Sequence, residues 1–497
     1  MLTIPSFRNL GETINPVFIK EMRQYFQNRR MLLLMGALLI GEFVLTLFFS
    51  SALSLDNDSD SGVTFFLLVI TGGCILSIFI CSVGAEQRFA EERSDKELNY
   101  AMLTTLRPVS IIWGKLEGPL VMLLCIFSML LPFLTAAYFM RGLSAASLLI
   151  TLYILPILLL STLAGILAGS FGMRWVNVLY FIGLGNFCLG MVPVGFSVAE
   201  DLMDSNVFQP EFWIFLLVEY ELAFLIGTLI FLLAVAIISP PKSNRMFLPK
   251  LYLFALPGLA LLIIAPYYVL FAGPDFPHEM FYTVEFLFCA FSVAVLMLIS
   301  LFEQPGGGIR IYMKCPRKFF GRCVHFLFSS GFPSSVLLAL PIPLIPVILM
   351  PLGHISGTER YVACGFLCIV TSFMACVILS LVLSWRTRLP LPPWLWVIIF
   401  EVAVNIASWI PISINLGFRD FPKAVRTALM VLSPTYCFVE IVDSPRRFAV
   451  NAAIASFILL GVTFLLLLPS ILKTFKLHRY PEEHAIKQPT AEMLKKP

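Results

Sequence analysis

The chain has 497 residues, of which 59% are hydrophobic and only 13% carry a charged side chain. A soluble domain carries about twice that share of charge, so the composition excludes an ordinary soluble protein. Apolar runs of about 20 residues recur along the chain, which is long enough for helices that cross a bilayer and unlike the short alternating strands of a β-barrel. The net charge of +4 is small, and we expect no nucleic-acid partner.

The hydropathy pattern predicts an all-α polytopic membrane protein with about 12 transmembrane helices, ten at the fewest. Residues 1–30 precede the first span. The remainder divides into a first six-helix half (31–239), a linker (240–250), a second half (251–472) and a tail (473–497). The predicted spans are approximately 31–54, 63–84, 117–140, 145–170, 176–198, 212–238, 251–272, 281–302, 333–352, 360–384, 394–416 and 447–472.

Lysine and arginine set the predicted orientation. The loops 55–62, 199–211 and 273–280 contain neither residue, whereas the alternate loops are basic. Because cytoplasmic loops carry the excess of positive charge, we expect both termini in the cytoplasm and the protein in the cell inner (plasma) membrane.

The segment 417–446 departs from this rule. We favour an amphipathic helix lying on the outer interface there, and the alternative is a missed span.

The N-terminal lead Asn15–Arg30 predicts a basic amphipathic helix on the inner leaflet. Asn15 suits the N-cap and Pro16 the first helical position. Helical spacing places four apolar residues on one face: Phe18, Met22, Tyr25 and Phe26. The alternative is a charge cluster that only sets topology.

The charged segment Glu86–Ser110 lies between two long apolar runs. It predicts a helix that continues the second span, in which Glu92 and Lys96 form a favourable i,i+4 pair. Arg107–Pro108 ends that helix, because the residue before proline is driven out of the helical region. A short helix with an apolar face suits a groove on a soluble partner, and the alternative is a solvated loop.

Two motifs in these segments resemble the permeases of type 2 ATP-binding-cassette (ABC) exporters, specifically over residues 15–140. One motif is N-P-x-x-x-K-E followed by R, at Asn15, Pro16, Lys20, Glu21 and Arg23. The other is E-E-R-x-x-x-E-L-x-x-x-x-L-T-T-x-x-P followed by G-K, at Glu91, Glu92, Arg93, Glu97, Leu98, Leu103, Thr104, Thr105, Pro108, Gly114 and Lys115.

The resemblance implies that the first motif lies in a cytoplasmic amphipathic elbow helix, assigned to residues 1–30. It implies that the second lies in a coupling segment, residues 86–115, which contains the coupling helix that docks on an ATPase. Glu91, Glu92, Arg93, Glu97, Leu98, Leu103 and Pro108 are the expected ATPase-coupling residues. Members of this family have six core spans. This chain therefore either fuses two permease halves or adds spans to one half. In the second case its partner would be a second copy of the chain or a second permease.

The chain contains no G-x-x-x-x-G-K-[ST] phosphate-binding loop. We expect no ATP hydrolysis by the chain itself, no other enzymatic activity, no cofactor and no metal. ATP hydrolysis would require a separate ATPase subunit.

Ionisable residues within predicted spans are candidates for a translocation path. Glu42 lies in the middle of the first span, and Glu401 and Asn405 share a face of the eleventh. For the two glutamates a structural hydrogen bond is an equal alternative. If they handle protons instead, the chain is a proton-coupled secondary transporter. A third alternative is a membrane scaffold that transports nothing.

Two sequence features predict details of helix geometry. Gly165 and Gly169 permit close packing of neighbouring helices. Pro341, Pro343, Pro346 and Pro351 predict a ninth span that is kinked or partly unwound.

Overall fold

The computed structural model is all-α, which confirms the predicted fold class. It describes residues 15–53, 61–94, 106–139, 151–173, 176–185, 210–240, 243–271, 278–303, 315–316, 318–345, 367, 370–371, 373–383, 395 and 445–477. These residues are 91% helical and contain no strand. The chain divides into two compact units, residues 1–239 and 240–497.

The first unit begins with a short helix that precedes the long ones. Its described helices are α1 (Pro16–Gln27), α2 (Arg29–Leu53), α3 (Ser61–Ser77), α4 (Gly84–Ser94), α5 (Pro108–Phe139), α6 (Thr151–Phe171), α7 (Val176–Gly185) and α8 (Pro210–Ile238). Helix α1 packs on α5, α4 packs on α6, and α6 packs on α8.

The second unit combines long apolar helices with two short ones. Its described helices are α9 (Phe247–Phe271), α10 (His278–Phe302), α11 (Phe319–Leu327), α12 (Phe332–Ala339), α13 (Phe373–Leu383) and α14 (Pro445–Leu477). Helix α12 packs against α9, α10, α11 and α14. It ends before a turn at residues 340–343, which is where the prolines predict an interruption.

Six helices of the described residues are long and apolar enough to cross a membrane. They confirm a membrane-embedded protein with transmembrane helices. They are Met31–Ser51, Gly62–Ser94, Pro108–Phe139, Thr151–Phe171, Leu216–Ile238 and Phe457–Lys476. The count of 12, the orientation of the termini and the identity of the membrane stay predictions. Most of the segment 417–446 lies outside the described residues.

A π-helical turn, Ile78–Val83, joins α3 and α4 into one continuous helix. Phe79 is 56% exposed, and the other five residues of the turn are buried. The Ser82 side chain hydrogen-bonds to the Ser161 carbonyl oxygen and to the Tyr180 hydroxyl, which ties the turn to α6 and α7. A π-turn holds one residue more than an α-turn and therefore rotates everything after it around the helix axis. The direction in which α4 presents its charged side chains depends on this turn.

The contact between α4 and α6 is close, as Gly165 and Gly169 predict. A Cβ on Gly169 would lie 2.6 Å from the Glu86 carbonyl oxygen, and one on Gly165 would overlap the backbone of Ser82. Side-chain-free positions let the two backbones approach and fix α4 against the body of the first unit.

Candidate functional site

Asn15 links the elbow helix α1 to the start of α5. Its Oδ1 accepts a hydrogen bond from the Val17 backbone N–H at 3.1 Å, which confirms the predicted N-cap. Its Nδ2 donates to the Ser110 carbonyl oxygen at 2.6 Å. Pro16 occupies the first helical position, as predicted. One side chain therefore begins α1 and binds it to the first turn of α5, 95 residues away.

Two glycines of α5 allow α1 to lie directly on its surface. A Cβ on Gly114 would be 2.7 Å from Asn15 Nδ2 and 2.8 Å from Val17 Cβ. A Cβ on Gly118 would be 3.0 Å from Glu21 Cβ. These distances are shorter than ordinary carbon contacts, so both positions need glycine for this packing.

Five charged side chains from α1, α4 and α5 form an ion-pair cluster: Lys20, Glu21, Arg88, Glu92 and Lys115. Lys115 Nζ lies 2.7 Å from Glu21 Oε1 and 2.6 Å from Glu92 Oε2. Lys20 Nζ donates to Glu92 Oε1 at 2.8 Å. The Glu21 and Lys115 side chains are 4% and 6% exposed, so their ion pair is shielded from water.

Arg88 completes the cluster from α4. Its Nη1 is 3.6 Å from Glu21 Oε2, and its Nε donates to the Gly84 carbonyl oxygen at 2.8 Å. Its guanidinium lies 3.3 Å above the ring of Tyr25, a cation–π contact with a fully buried aromatic side chain. Burial raises the pKa of the Tyr25 phenol above its usual range, so Tyr25 presents a neutral ring to Arg88.

The cluster holds together the two ends of the predicted coupling segment. Helix α4 ends at Ser94, and α5 begins at Pro108. Glu92 precedes residues 95–105 and Lys115 follows them, and these two side chains are in contact. Both also contact the elbow helix, at Lys20 and Glu21. Glu97, Leu98, Leu103, Thr104 and Thr105 fall in that stretch, outside the described residues.

The three charged positions predicted at the end of α4 differ in their surroundings. Glu91 is exposed. Glu92 has its carboxylate engaged by Lys20 and Lys115. Arg93 lies against Gly172, where a Cβ would be 2.5 Å from Arg93 Cδ and where the backbone has a φ of +62°. Of these three residues, Glu91 is the one whose side chain faces away from the unit.

The apolar residues of the elbow helix differ in their exposure. Tyr25 points into the protein beside Glu21, whereas Phe26 is 50% and Ile19 44% exposed. The buried face of α1 also carries Glu21, whose carboxylate contacts Lys115. The sequence signal was present, since Glu21 lies three residues after Phe18 and four before Tyr25, on the apolar side of the helix. Arg23 is exposed, as expected of a basic surface residue.

Glu42 is buried within α2, with 3% of its surface exposed. Its Oε1 packs against Gly72 of α3, where a Cβ would lie 3.1 Å away, and its Oε2 has no hydrogen-bond partner among the described residues. A buried carboxylate oxygen without a donor is costly, which marks the position as unusual. Glu401 and Asn405, the other predicted path residues, lie outside the described residues.

The second unit contains a buried polar knot that the sequence did not reveal. Lys250 is fully buried, and its Nζ is 2.8 Å from Glu303 Oε2, 2.7 Å from the Ser329 carbonyl oxygen and 2.9 Å from Ser334 Oγ. Ser335 Oγ donates to the same glutamate oxygen at 3.0 Å. The knot fixes the short connection between α11 and α12 to the ends of α9 and α10. A signal for it was the isolated Lys250 directly before a long apolar run.

Comparison with models of known protein families, with curated proteins and with solved structures gives no match for this chain.

Proposed function

We propose that this chain is the membrane-spanning permease subunit of an ABC exporter and that a separate ATPase subunit drives it. The observation that carries the proposal is the ion-pair cluster, which joins the elbow helix to both ends of the segment 95–105. A segment that transmits force from a soluble subunit must be attached to helices that keep their relative positions. The buried ion pairs hold α1, α4 and α5 in place, because separating one pair would leave an uncompensated charge.

The two motifs that carry the resemblance support the proposal. They lie about 70 residues apart in sequence, yet Asn15, Lys20 and Glu21 of the first contact Ser110, Glu92 and Lys115, which lie in or beside the second. Motions of residues 95–105 would therefore reach α1 and α5 together, and α5 leads directly into the membrane.

Glu91 and Leu98 give the sharpest test of ATPase docking. The double variant Glu91→Lys/Leu98→Asp places unpaired charge at the docking surface and leaves Glu92 with its partners. We expect the tagged variant, purified from native membranes in mild detergent, to lose a co-purifying protein that carries a phosphate-binding loop. Burying an unpaired charge in a protein contact costs about 3–5 kcal/mol, enough to abolish such an association.

The matched control makes the same chemical changes in the predicted outer loop, as Asp58→Lys/Leu55→Asp. It should keep the ATPase at the wild-type level. Equal retention of the ATPase by both double variants would contradict docking at 95–105. Absence of any nucleotide-binding protein from the wild-type preparation would contradict the proposed function itself.

The burial of Glu42 favours a second candidate, a proton-coupled secondary transporter. A buried carboxylate with an unpartnered oxygen can take up and release a proton as the helices move. In that case Glu42→Gln abolishes proton-driven uptake in vesicles, and no ATPase is needed. Retention of transport in the Glu42→Gln variant would remove this candidate.

A further inference from the structure

We propose that helix α11 (Phe319–Leu327) is a membrane-surface helix that binds anionic phospholipids of the inner leaflet. The proposal is independent of the transport function. It concerns a segment to which neither the permease motifs nor the polar knot assigns a role.

The exposed side of α11 is apolar. Phe320 and Val324, one helical turn apart, are 79% and 38% exposed, and the neighbouring Phe319 is 73% exposed. The opposite side carries Phe326, which is 4% exposed. This nine-residue helix buries one aromatic ring against the protein and exposes two others. The exposed rings form a second apolar surface, which calls for a binding partner.

Contacts within the second unit set the depth of α11. The rings of Phe326 and Phe319 lie 5.3 Å and 6.5 Å from the ring of Phe475. Phe475 is two residues from the end of α14 and lies in the last turn of the candidate span Phe457–Lys476. Helix α11 therefore lies beside the end of a membrane-spanning helix, at the level where hydrocarbon meets headgroups.

The lysine and arginine residues around α11 indicate which class of lipid it binds. Between Gln304 and Thr358 the chain has five cationic residues, Arg310, Lys314, Arg317, Lys318 and Arg322, and no aspartate or glutamate. Lys318 is exposed immediately before α11, and Lys473 and Lys476 are exposed at the adjoining end of α14. Clustered cations next to aromatic side chains at a membrane boundary attract anionic headgroups, while the rings enter the acyl-chain region.

A photoreactive benzophenone side chain in place of Phe320 tests the occupant of this surface directly. The protein is reconstituted in nanodiscs of phosphatidylcholine with phosphatidylglycerol, illuminated, and its adducts are identified by mass spectrometry. We expect phospholipid adducts at position 320, with phosphatidylglycerol enriched over its share of the bilayer. The same probe in place of Phe328 is the control, because that ring packs on Phe247 and Phe254 and should give adducts within the protein.

Substitutions of Lys318 distinguish recognition of the lipid charge from insertion of the aromatic rings alone. Its side chain makes no capping hydrogen bond within the described residues, so replacing it leaves the start of α11 unchanged. Lys318→Gln should reduce the phosphatidylglycerol enrichment about fivefold, the factor for one cation near an anionic surface. Lys318→Arg should preserve the enrichment. Lipid adducts in the bulk ratio, enrichment unaffected by Lys318→Gln, or adducts to another protein alone would each overturn the proposal.

Discussion

Lys115 lies between two carboxylates and is almost completely shielded from water. We therefore expect it to be the residue of the ion-pair cluster that is most sensitive to substitution. Its ammonium contacts Glu21 and Glu92 within 2.7 Å, and its side chain is 6% exposed. Removing one member of a buried ion pair leaves an uncompensated charge, which costs more than the pair contributes. The effect of a substitution therefore depends on whether its partners are replaced with it.

We expect Lys115→Gln to lower the stability of the first unit by about 3–5 kcal/mol, seen as a lower temperature of thermal unfolding in detergent. The double variant Lys115→Gln/Glu21→Gln should recover part of the loss, because it also removes one buried carboxylate. Lys20→Gln is the control. The Lys20 side chain is 45% exposed, so its ion pair contributes at most about 1 kcal/mol. A double variant less stable than Lys115→Gln would contradict the coupling of Glu21 to Lys115.

Gly114 tests the close approach of the elbow helix. In Gly114→Ala the new methyl would overlap Asn15 and Val17 and lie 3.0 Å from the Phe18 backbone nitrogen, which cannot move independently of α1. We expect faster amide hydrogen exchange across Pro16–Gln27, because α1 is displaced from α5. Gly36→Ala is the matched control, since its Cβ would meet nothing within 4 Å. Unchanged exchange in Gly114→Ala would show that α1 does not depend on this contact.

At the scale of elements, the π-turn Ile78–Val83 decides where α4 points. An α-helix turns about 100° per residue, so one extra residue in the turn changes the face that Arg88 and Glu92 occupy by that angle. The sequence did not predict this turn. Its residues, IFICSV, read as ordinary apolar helix, and the extra residue is specified by packing on α6 rather than by local preference.

Deleting Phe79 should convert the π-turn into an α-turn and rotate α4 away from the elbow helix. Phe79 is 56% exposed, so the deletion itself removes little packing. We expect Glu92 to lose its ion pairs with Lys20 and Lys115. Amide hydrogen exchange in α1 should then become faster, as in Gly114→Ala. The substitution Phe79→Ala keeps the chain length and should leave exchange at the wild-type rate. If both variants behave alike, the register of the π-turn does not set the cluster.

The elements that sequence reasoning predicted well have local causes. Asn15 with Pro16 begins α1, and long apolar runs become long helices. Pro108 is the first residue of α5, a start that the sequence did not predict. The contacts that build the candidate site are different in kind. Glu21 and Lys115 are 94 residues apart, and Lys250 and Glu303 are 53 apart, so helix packing brings them together and no spacing rule encodes it. The sequence signals were weaker: Glu21 lies on the apolar side of α1, and Lys250 directly precedes a long apolar run.

For the whole molecule, the distribution of lysine and arginine predicts both termini in the cytoplasm. The ion-pair cluster would then face the cytoplasm, where a soluble ATPase is found, and α11 would face the leaflet that carries anionic lipids. Reporter fusions at Asp58 and at the C-terminus should report opposite compartments. If both fusions report the same compartment, the predicted orientation is wrong for one part of the chain. The ion-pair cluster and α11 would then not both face the cytoplasmic side.

We propose that the chain works with an ATPase bound on its cytoplasmic side. The most direct measurement is the mass of the intact complex released from native membranes, with its subunits identified by peptide sequencing. We expect this chain together with a subunit that carries a phosphate-binding loop, and loss of that subunit in the Glu91→Lys/Leu98→Asp variant. A complex of this chain alone, or with partners that bind no nucleotide, would contradict it.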